Sequence, residues 1–222
     1  MNKENFYRFI EQGAVQGACR YSEYWFIYNN LPKNQSRVLE LGAGTSVLSL
    51  AIAKDGHDVT VTEIDKVNIE FQEKIIMDNP DLKYRVVKVD GPILPFEDKI
   101  FDVAILASAI EHFNNDVEVV KEISRALDSE GLLIVTLPVG KKYIENRHEG
   151  MNHPPERVYD VNSFDNLFLK DFDIVTQEFY KWSEKDPKDF LPHLGWSRKR
   201  INFNQVKSFN KADWLCVVLK KK

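Results

Sequence analysis

Short apolar runs alternate with stretches of helical periodicity from residue 36 to residue 138 of the chain. Five runs, bounded by glycine or polar residues, have the composition of buried parallel strands: 37–42, 58–63, 84–89, 101–108 and 132–138. Apolar residues recur at helical spacing between these runs, and the first helix is expected over 46–54. The second has Val67, Phe71 and Ile75 on one face, and the third has Val117, Val120, Ile123 and Leu127. This alternation predicts right-handed crossovers and a parallel sheet with helices on both faces.

The regular alternation ends at Pro138. A polar segment (139–160) is followed by a short helical pattern, a long strand pattern near 171–182, an irregular stretch (183–211) and a last strand pattern near 213–221. We therefore predict an α/β fold of the Rossmann-like, three-layer sandwich type. Its sheet is expected to hold seven mainly parallel strands, with the last strand antiparallel.

The length of 222 residues suits one domain with a sizeable core. Within a single domain (1–222) we expect an N-terminal helical cap (1–35), a cofactor-binding core (36–138), and a substrate loop with C-terminal strands (139–222). The net charge of −4 does not favour binding of nucleic acid or an anionic membrane through bulk charge. No apolar run is long enough for a membrane span or a signal peptide, so we expect a cytoplasmic protein.

A glycine turn follows the first predicted strand and indicates a nucleotide-type ligand. Gly42 and Gly44 match the first two glycines of the dinucleotide fingerprint, but Val47 stands where its third glycine belongs. Glu40, at the end of the strand, would repel a pyrophosphate and attract a ligand ammonium. A helix beginning near Thr45 and Ser46 would offer backbone N–H groups to a carboxylate.

The second predicted strand ends in Glu63, which lies 21 residues after Gly42. A carboxylate at this point commonly accepts hydrogen bonds from the two hydroxyls of a ribose. The ligand implied has an amino-acid end and a ribose, with no phosphate required between them. S-adenosylmethionine fits this description.

These segments resemble the class I S-adenosylmethionine-dependent methyltransferases, of the type 11/12-like small-molecule or sugar branch. "VLELGAGTS" (38–46) looks like their motif I, and "VTVTEID" (59–65) is similar to their second motif. Residues 89–113 resemble their adenine-binding loop, fourth strand and following segment, and residues 122–138 resemble the next helix, turn and fifth strand. The departure is Ser46, where many members carry a third glycine.

The resemblance implies S-adenosylmethionine as cofactor and S-adenosylhomocysteine as product. In it Glu40 pairs with the methionine ammonium and Glu63 with the ribose. Separately, the aromatic stretch 19–30 is either a helix packed on the sheet edge or a cap of the cofactor pocket through Arg20, Tyr21 or Tyr24, with Arg20 meeting the methionine carboxylate. The backbone from Gly42 through Ala43 and Gly44 to Thr45 passes beneath the methionine end. Ile64, Asp90 and Gly91 border the adenine.

Three histidines are candidates for a general base, since a hydroxyl acceptor must lose its proton: His112, His148 and His153. His112 follows the fourth strand, and the other two lie in the expected substrate loop. "IEHF" (110–113) also resembles the divalent-metal segment of ubiquinone-pathway O-methyltransferases and small-RNA 3′-end methyltransferases. Ser108 stands where those carry a further glutamate, so we expect no metal.

The acceptor expected is a hydroxyl group of a small molecule or of a sugar or glycan. No motif for methylation of DNA base amines follows the fourth strand, and no Pro-Cys pair indicates cytosine C5 chemistry. Nucleic acid is not expected as a partner, although the basic, aromatic stretch 196–207 keeps an RNA methyltransferase open. A catalytically silent cofactor-binding relative and an NAD-dependent oxidoreductase also remain alternatives. The oligomeric state is open, with a homodimer as one option.

Overall fold

The computed structural model describes residues 1–13, 21–149, 155–183 and 202–222. Within these ranges the helices are α1 (Lys3–Gly13), α2 (Tyr21–Asn29), α3 (Leu48–Lys54), α4 (Lys66–Asp78), α5 (Asp116–Ala126) and α6 (Val161–Phe168). The strands are β1 (Arg37–Leu41), β2 (Asp58–Glu63), β3 (Tyr84–Lys88), β4 (Phe101–Ala107), β5 (Leu127–Pro138), β6 (Phe172–Ser183), β7 (Asn202–Val206) and β8 (Trp214–Lys221).

The strands form one sheet in the order β3-β2-β1-β4-β5-β8-β6-β7. Strands β1 to β5 pair in parallel, and β8 runs antiparallel between β5 and β6. The predicted Rossmann-like fold is confirmed, but seven strands is wrong, because the described part of the chain contains eight. The additional strand is β7, which pairs with β6 alone and lies at the sheet edge. Its sequence NFNQV carries several polar residues, so it lacked the apolar run by which the buried strands were recognised.

Alternate residues of each central strand pack against different helices, which produces the three layers. Val38 of β1 belongs to the core cluster that includes residues of α1, α2, α3 and α4. Leu39, its neighbour, belongs to the cluster that includes residues of α5 and α6. The order of strands reverses between β1 and β4, and ligands of such sheets bind at the carboxyl ends of the strands near this point.

The apolar faces predicted for two helices are wrong in the first turn of each helix. Val67 in α4 and Val117 in α5 were expected to be inward-facing, but both are exposed. Each lies one residue after the start of its helix. Helix α3 also begins at Leu48 rather than at Ser46, so the predicted helix start at Thr45 and Ser46 is wrong.

The N-terminal helices pack on the α3 side of the sheet through buried apolar side chains: Phe6, Ile10, Phe26, Ile27 and Tyr28. This packing holds α2 beside the strands that form the centre of the sheet. No helix in the described ranges is both long enough and apolar enough to cross a membrane.

Candidate active site

A cleft opens at the carboxyl ends of the central strands. Its lining is mostly apolar, with backbone from the glycine turn and one carboxylate: Leu41, Gly42, Thr62, Glu63, Ile64, Val89, Gly91, Pro92, Leu94, Phe113 and Val119. An apolar slot beside a few polar groups is the usual construction of a nucleoside site.

The turn after β1 has a backbone conformation that favours glycine. Gly42 has φ of +66° and Gly44 has φ of +57°, both in the left-handed region. A Cβ at Gly42 would lie 3.2 Å from the Cβ of Ala109, which follows β4, whereas a Cβ at Gly44 would meet no atom within 4 Å. The glycines thus serve two purposes: Gly42 allows the β1 and β4 ends to meet, and Gly44 leaves the surface of the turn open.

Both backbone groups of Gly44 are held by side chains from other elements. Its N–H donates to Oε1 of Glu63 over 2.5 Å. Its carbonyl oxygen accepts from Nε2 of Gln72 over 2.7 Å, and the hydroxyl of Tyr84 donates to Oε1 of Gln72 over 2.6 Å. Gln72 and Tyr84 are buried, so this pair fixes the turn from beneath.

Glu63 is the carboxylate that faces the cleft. It is 7% exposed, and its Oε2 accepts from the Ile64 N–H over 3.1 Å and from Nδ2 of Asn68 over 3.4 Å. These donors orient the carboxylate at the end of β2, where its remaining lone pairs can accept hydroxyl hydrogen bonds. Ile64 is 55% exposed and forms an apolar wall beside it.

Glu40 lies under the turn rather than in the lining of the cleft. It is 1% exposed, and its Oε2 accepts a hydrogen bond from the hydroxyl of Ser49 on α3. Burial, together with the negative charge of Glu63, raises the pKa of Glu40 to about 7, although the Ser49 hydrogen bond lowers it. This position suits support of the turn better than direct contact with a ligand, so pairing of Glu40 with an ammonium stays a prediction.

The part of the cleft predicted to border the adenine contains residues that the sequence interpretation did not name. Gly91, with φ of +112°, lines the cleft, whereas Asp90 is exposed and outside the lining. Val89 and Pro92, on either side of the predicted Asp90–Gly91 pair, supply apolar surface instead. The run of apolar residues around that pair was the available signal.

The segment after β5 folds back against the residues that follow β4. Isolated bridges join Val139 to Tyr159 and Ile144 to Val158. Nδ1 of His112 lies 2.7 Å from the carbonyl oxygen of Pro155, to which it must donate. The Arg157 guanidinium donates to the carbonyl oxygen of Phe113, which lines the cleft. The expected substrate segment therefore borders the cleft opening.

One histidine of this segment is paired with a buried carboxylate. Nε2 of His148 lies 2.7 Å from Oε2 of Glu156, which is 5% exposed. The guanidinium of Arg147 donates to the other oxygen of the same carboxylate. Glu156 therefore orients the His148 ring and is itself held by Arg147; spacing in the sequence gave no sign of this pairing.

The comparisons with known proteins agree with the geometry of the cleft. Residues 39–135 match the family model described as a methyltransferase domain. This match and the relatives are consistent with the class I S-adenosylmethionine-dependent methyltransferases. The chain is 26% identical over 197 residues to the ubiquinone biosynthesis O-methyltransferase of Rickettsia typhi, covering 79% of this chain and 77% of that one.

Other relatives match smaller parts. The O-antigen chain terminator bifunctional methyltransferase/kinase of Escherichia coli is 28% identical over 58% of this chain, which spans 19% of that protein. A solved S-adenosylmethionine-dependent methyltransferase from Thermotoga maritima shares the fold, with a TM-score of 0.64 and 18% identity, over 100% of this chain and 96% of that one.

The structure brings several of the predicted cofactor residues to the same edge of the sheet. Gly42, Glu63, Ile64 and Gly91 line the cleft, and Ala43, Gly44 and Thr45 complete the turn beside it. These groups fit S-adenosylmethionine, because an apolar slot adjoins a carboxylate and an open glycine turn. Arg20, His153 and residues 196–201 of the basic stretch lie outside the described residues. The ranges described contain no cluster of three or more His, Cys, Asp or Glu side chains placed to hold a metal.

Proposed function

We propose that this methyltransferase transfers a methyl group from S-adenosylmethionine to a hydroxyl group of a small molecule or of a sugar or glycan. The observation that supports a hydroxyl acceptor is the His148–Glu156 pair in the segment that borders the cleft. An alcohol or phenol must lose a proton as its oxygen attacks, and a positioned imidazole is the commonest group for that task.

The proposed roles follow from the hydrogen bonds. The Glu156 carboxylate accepts from Nε2–H and orients the His148 ring, which is the group proposed to take the acceptor proton. Arg147 keeps Glu156 in place, and the resulting imidazolium would be stabilised by Glu156. S-adenosylmethionine, when bound, supplies an activated methyl carbon, so the remaining task of the protein is alignment and exclusion of water.

The proposed cofactor contacts divide the cleft by chemistry. Glu63 would accept hydrogen bonds from the ribose hydroxyls, while Ile64, Val89 and Pro92 would enclose the adenine. The open surface at Gly44 would lie beneath the methionine end. Asp90 and Arg20 stay predictions, as does the ammonium contact of Glu40.

The relatives support a small-molecule acceptor. Matches include the ubiquinone biosynthesis O-methyltransferase and the bifunctional O-antigen enzyme, but also the sarcosine/dimethylglycine N-methyltransferase of Aphanothece halophytica, which is 32% identical over 54% of this chain. An acceptor screen should therefore contain phenols, sugars and amines. Transfer to amines alone would contradict the hydroxyl proposal.

The cofactor is tested by calorimetric titration with S-adenosylhomocysteine, with NAD as the comparison ligand. We expect binding of the thioether in the micromolar range and none of NAD, with binding lost in Glu63→Ala because the ribose contact is removed. Glu73→Ala, an exposed carboxylate on the neighbouring helix α4, is the matched control and should bind as wild type does. Preferential binding of NAD would contradict the proposal.

The base is tested by transfer of a labelled methyl group to the acceptor found in the screen. His148→Gln should lower kcat by about 10²- to 10⁴-fold, the usual contribution of general-base catalysis, and leave affinity for S-adenosylhomocysteine unchanged. His112→Gln, the other candidate histidine in the described residues, is compared in the same assay. A larger loss in His112→Gln than in His148→Gln would assign the base to His112 instead.

A further inference from the structure

Helix α2 brings a buried carboxylate to the carboxyl ends of β4 and β5. Glu23 is 0% exposed, and its Oε1 accepts hydrogen bonds from the hydroxyls of Ser108 and Thr136. Two hydroxyls that donate to one oxygen fit an ionised carboxylate, which is the stronger acceptor. We call these three residues the Glu23 cluster.

The Glu23 cluster adjoins the glycine turn. Ser108 directly follows β4, and its N–H donates to the carbonyl oxygen of Thr136 over 3.0 Å. Ser108 has φ of +53°, a left-handed conformation that is costly for a residue with a side chain. The next residue, Ala109, is the one whose Cβ lies 3.2 Å from the Cβ position of Gly42. The cluster is therefore one residue away from the point where the β1 and β4 ends meet.

The order of the strands gives a direction to the proposed cofactor contacts. Ile64 and Val89 follow β2 and β3, Glu63 ends β2, and the glycine turn follows β1, which lies next to β4 in the sheet. With adenine at Ile64 and Val89 and the ribose at Glu63, as proposed above, the methionine end would continue past Gly42 toward the end of β4. That direction points toward the Glu23 cluster, and the sulfur is bonded to the ribose 5′ carbon.

We propose that Glu23 makes the pocket prefer the sulfonium cation of S-adenosylmethionine over the neutral thioether of the product. This inference rests on the proposed function. A carboxylate shielded from water attracts a nearby cation more strongly than an exposed one does. Methyl transfer removes the positive charge from sulfur, so this attraction ends with the reaction, and the product leaves more readily than the substrate.

Charge preference and structural support by Glu23 give different results in binding experiments. Calorimetry with S-adenosylmethionine and S-adenosylhomocysteine is carried out on wild type, Glu23→Gln and Thr136→Val. Glu23→Gln keeps the accepting oxygen but loses the charge, and should weaken binding of the sulfonium about tenfold more than binding of the thioether. Thr136→Val removes a hydroxyl donor and keeps the charge, so it should change both affinities by a similar factor.

An unchanged ratio of the two affinities in Glu23→Gln would overturn the inference while leaving the proposed function intact. Wild-type protein that binds neither ligand would overturn the proposed function, and the inference with it. If Glu23→Gln does not fold, as judged by circular dichroism, Glu23→Asp replaces it. Aspartate withdraws the charge by one methylene. A smaller preference for S-adenosylmethionine over S-adenosylhomocysteine than in wild type supports the inference, whereas an unchanged ratio of the two affinities overturns it.

Discussion

Replacement of Glu40 by glutamine should make the stability of the protein less dependent on pH. Burial and the charge of Glu63 raise the pKa of Glu40 from 4.5 to about 7. At about 1.4 kcal/mol per pKa unit, this difference corresponds to about 3 kcal/mol. An unfolded chain releases the proton near pH 4.5, and the folded chain releases it near pH 7. The wild type therefore loses stability as pH rises between these values.

The measurement is urea denaturation of wild type and Glu40→Gln between pH 5 and pH 8. Glutamine keeps an oxygen that can accept from Ser49, but it adds a buried N–H₂ group that offsets both ends of the curve equally. The difference in unfolding free energy, mutant minus wild type, should rise by about 3 kcal/mol across this range. Glu73→Gln, an exposed control, should give a curve parallel to that of wild type.

Parallel curves for Glu40→Gln and wild type would refute the reasoning, since they would mean that the buried carboxyl titrates as it does in the unfolded chain. The same variant also tests the predicted ammonium contact. Because Glu40 lies under the turn, its loss of charge should reduce affinity for S-adenosylhomocysteine less than Glu63→Ala does. The opposite order would favour a direct contact between Glu40 and the ligand.

Two further predictions concern the glycine turn. Gly42→Ala should lower both the unfolding free energy and the cofactor affinity, because the added Cβ crowds Ala109. Gly44→Ala should lower the unfolding free energy only by the left-handed backbone strain, about 1–2 kcal/mol, because its Cβ meets no atom. It should still weaken cofactor binding, because the Cβ occupies the open surface of the turn. Urea denaturation and calorimetry separate these effects, and equal losses in both variants would contradict them. Tyr84→Phe leaves Gln72 without its donor and should weaken binding of S-adenosylhomocysteine; unchanged affinity would show that the turn does not need this support.

The places of the glycine turn and of Glu63 at one edge of the sheet could be predicted because their signals are local. Glu63 ends an apolar strand and Gly42 lies in a turn after another, so sequence spacing places both at the same edge of a parallel sheet. The predicted helix start at Thr45 was wrong because helix starts are less sharply marked in sequence than strand ends, and α3 begins later, at Leu48. Strand β7 was missed because a polar edge strand lacks the apolar run that marks the others.

The side-chain pairings of the segment after β5 and of α2 could not be predicted, because they join distant or irregular segments. His148 was recognised as a candidate base, but no periodicity places Glu156 against it across an irregular segment. The Glu23 cluster joins Glu23 to Ser108, 85 positions later in the chain, through side chains alone. Such pairings are set by how α2 packs on the sheet, which the pattern of apolar residues leaves undetermined.

The distribution of buried polar groups explains why the turn is stable enough to bind a ligand. Glu40, Gln72 and Tyr84 are buried on the side of the sheet that carries α3 and α4, where each polar group costs free energy unless it is hydrogen-bonded. The bonds of Gln72 and Tyr84 lead to Gly44 in the turn and hold its left-handed backbone in one conformation, whereas that of Glu40 joins β1 to Ser49 on α3. Loss of a bond that leads to Gly44, as in Tyr84→Phe, should therefore loosen the turn, and weaker cofactor binding would be the expected signature.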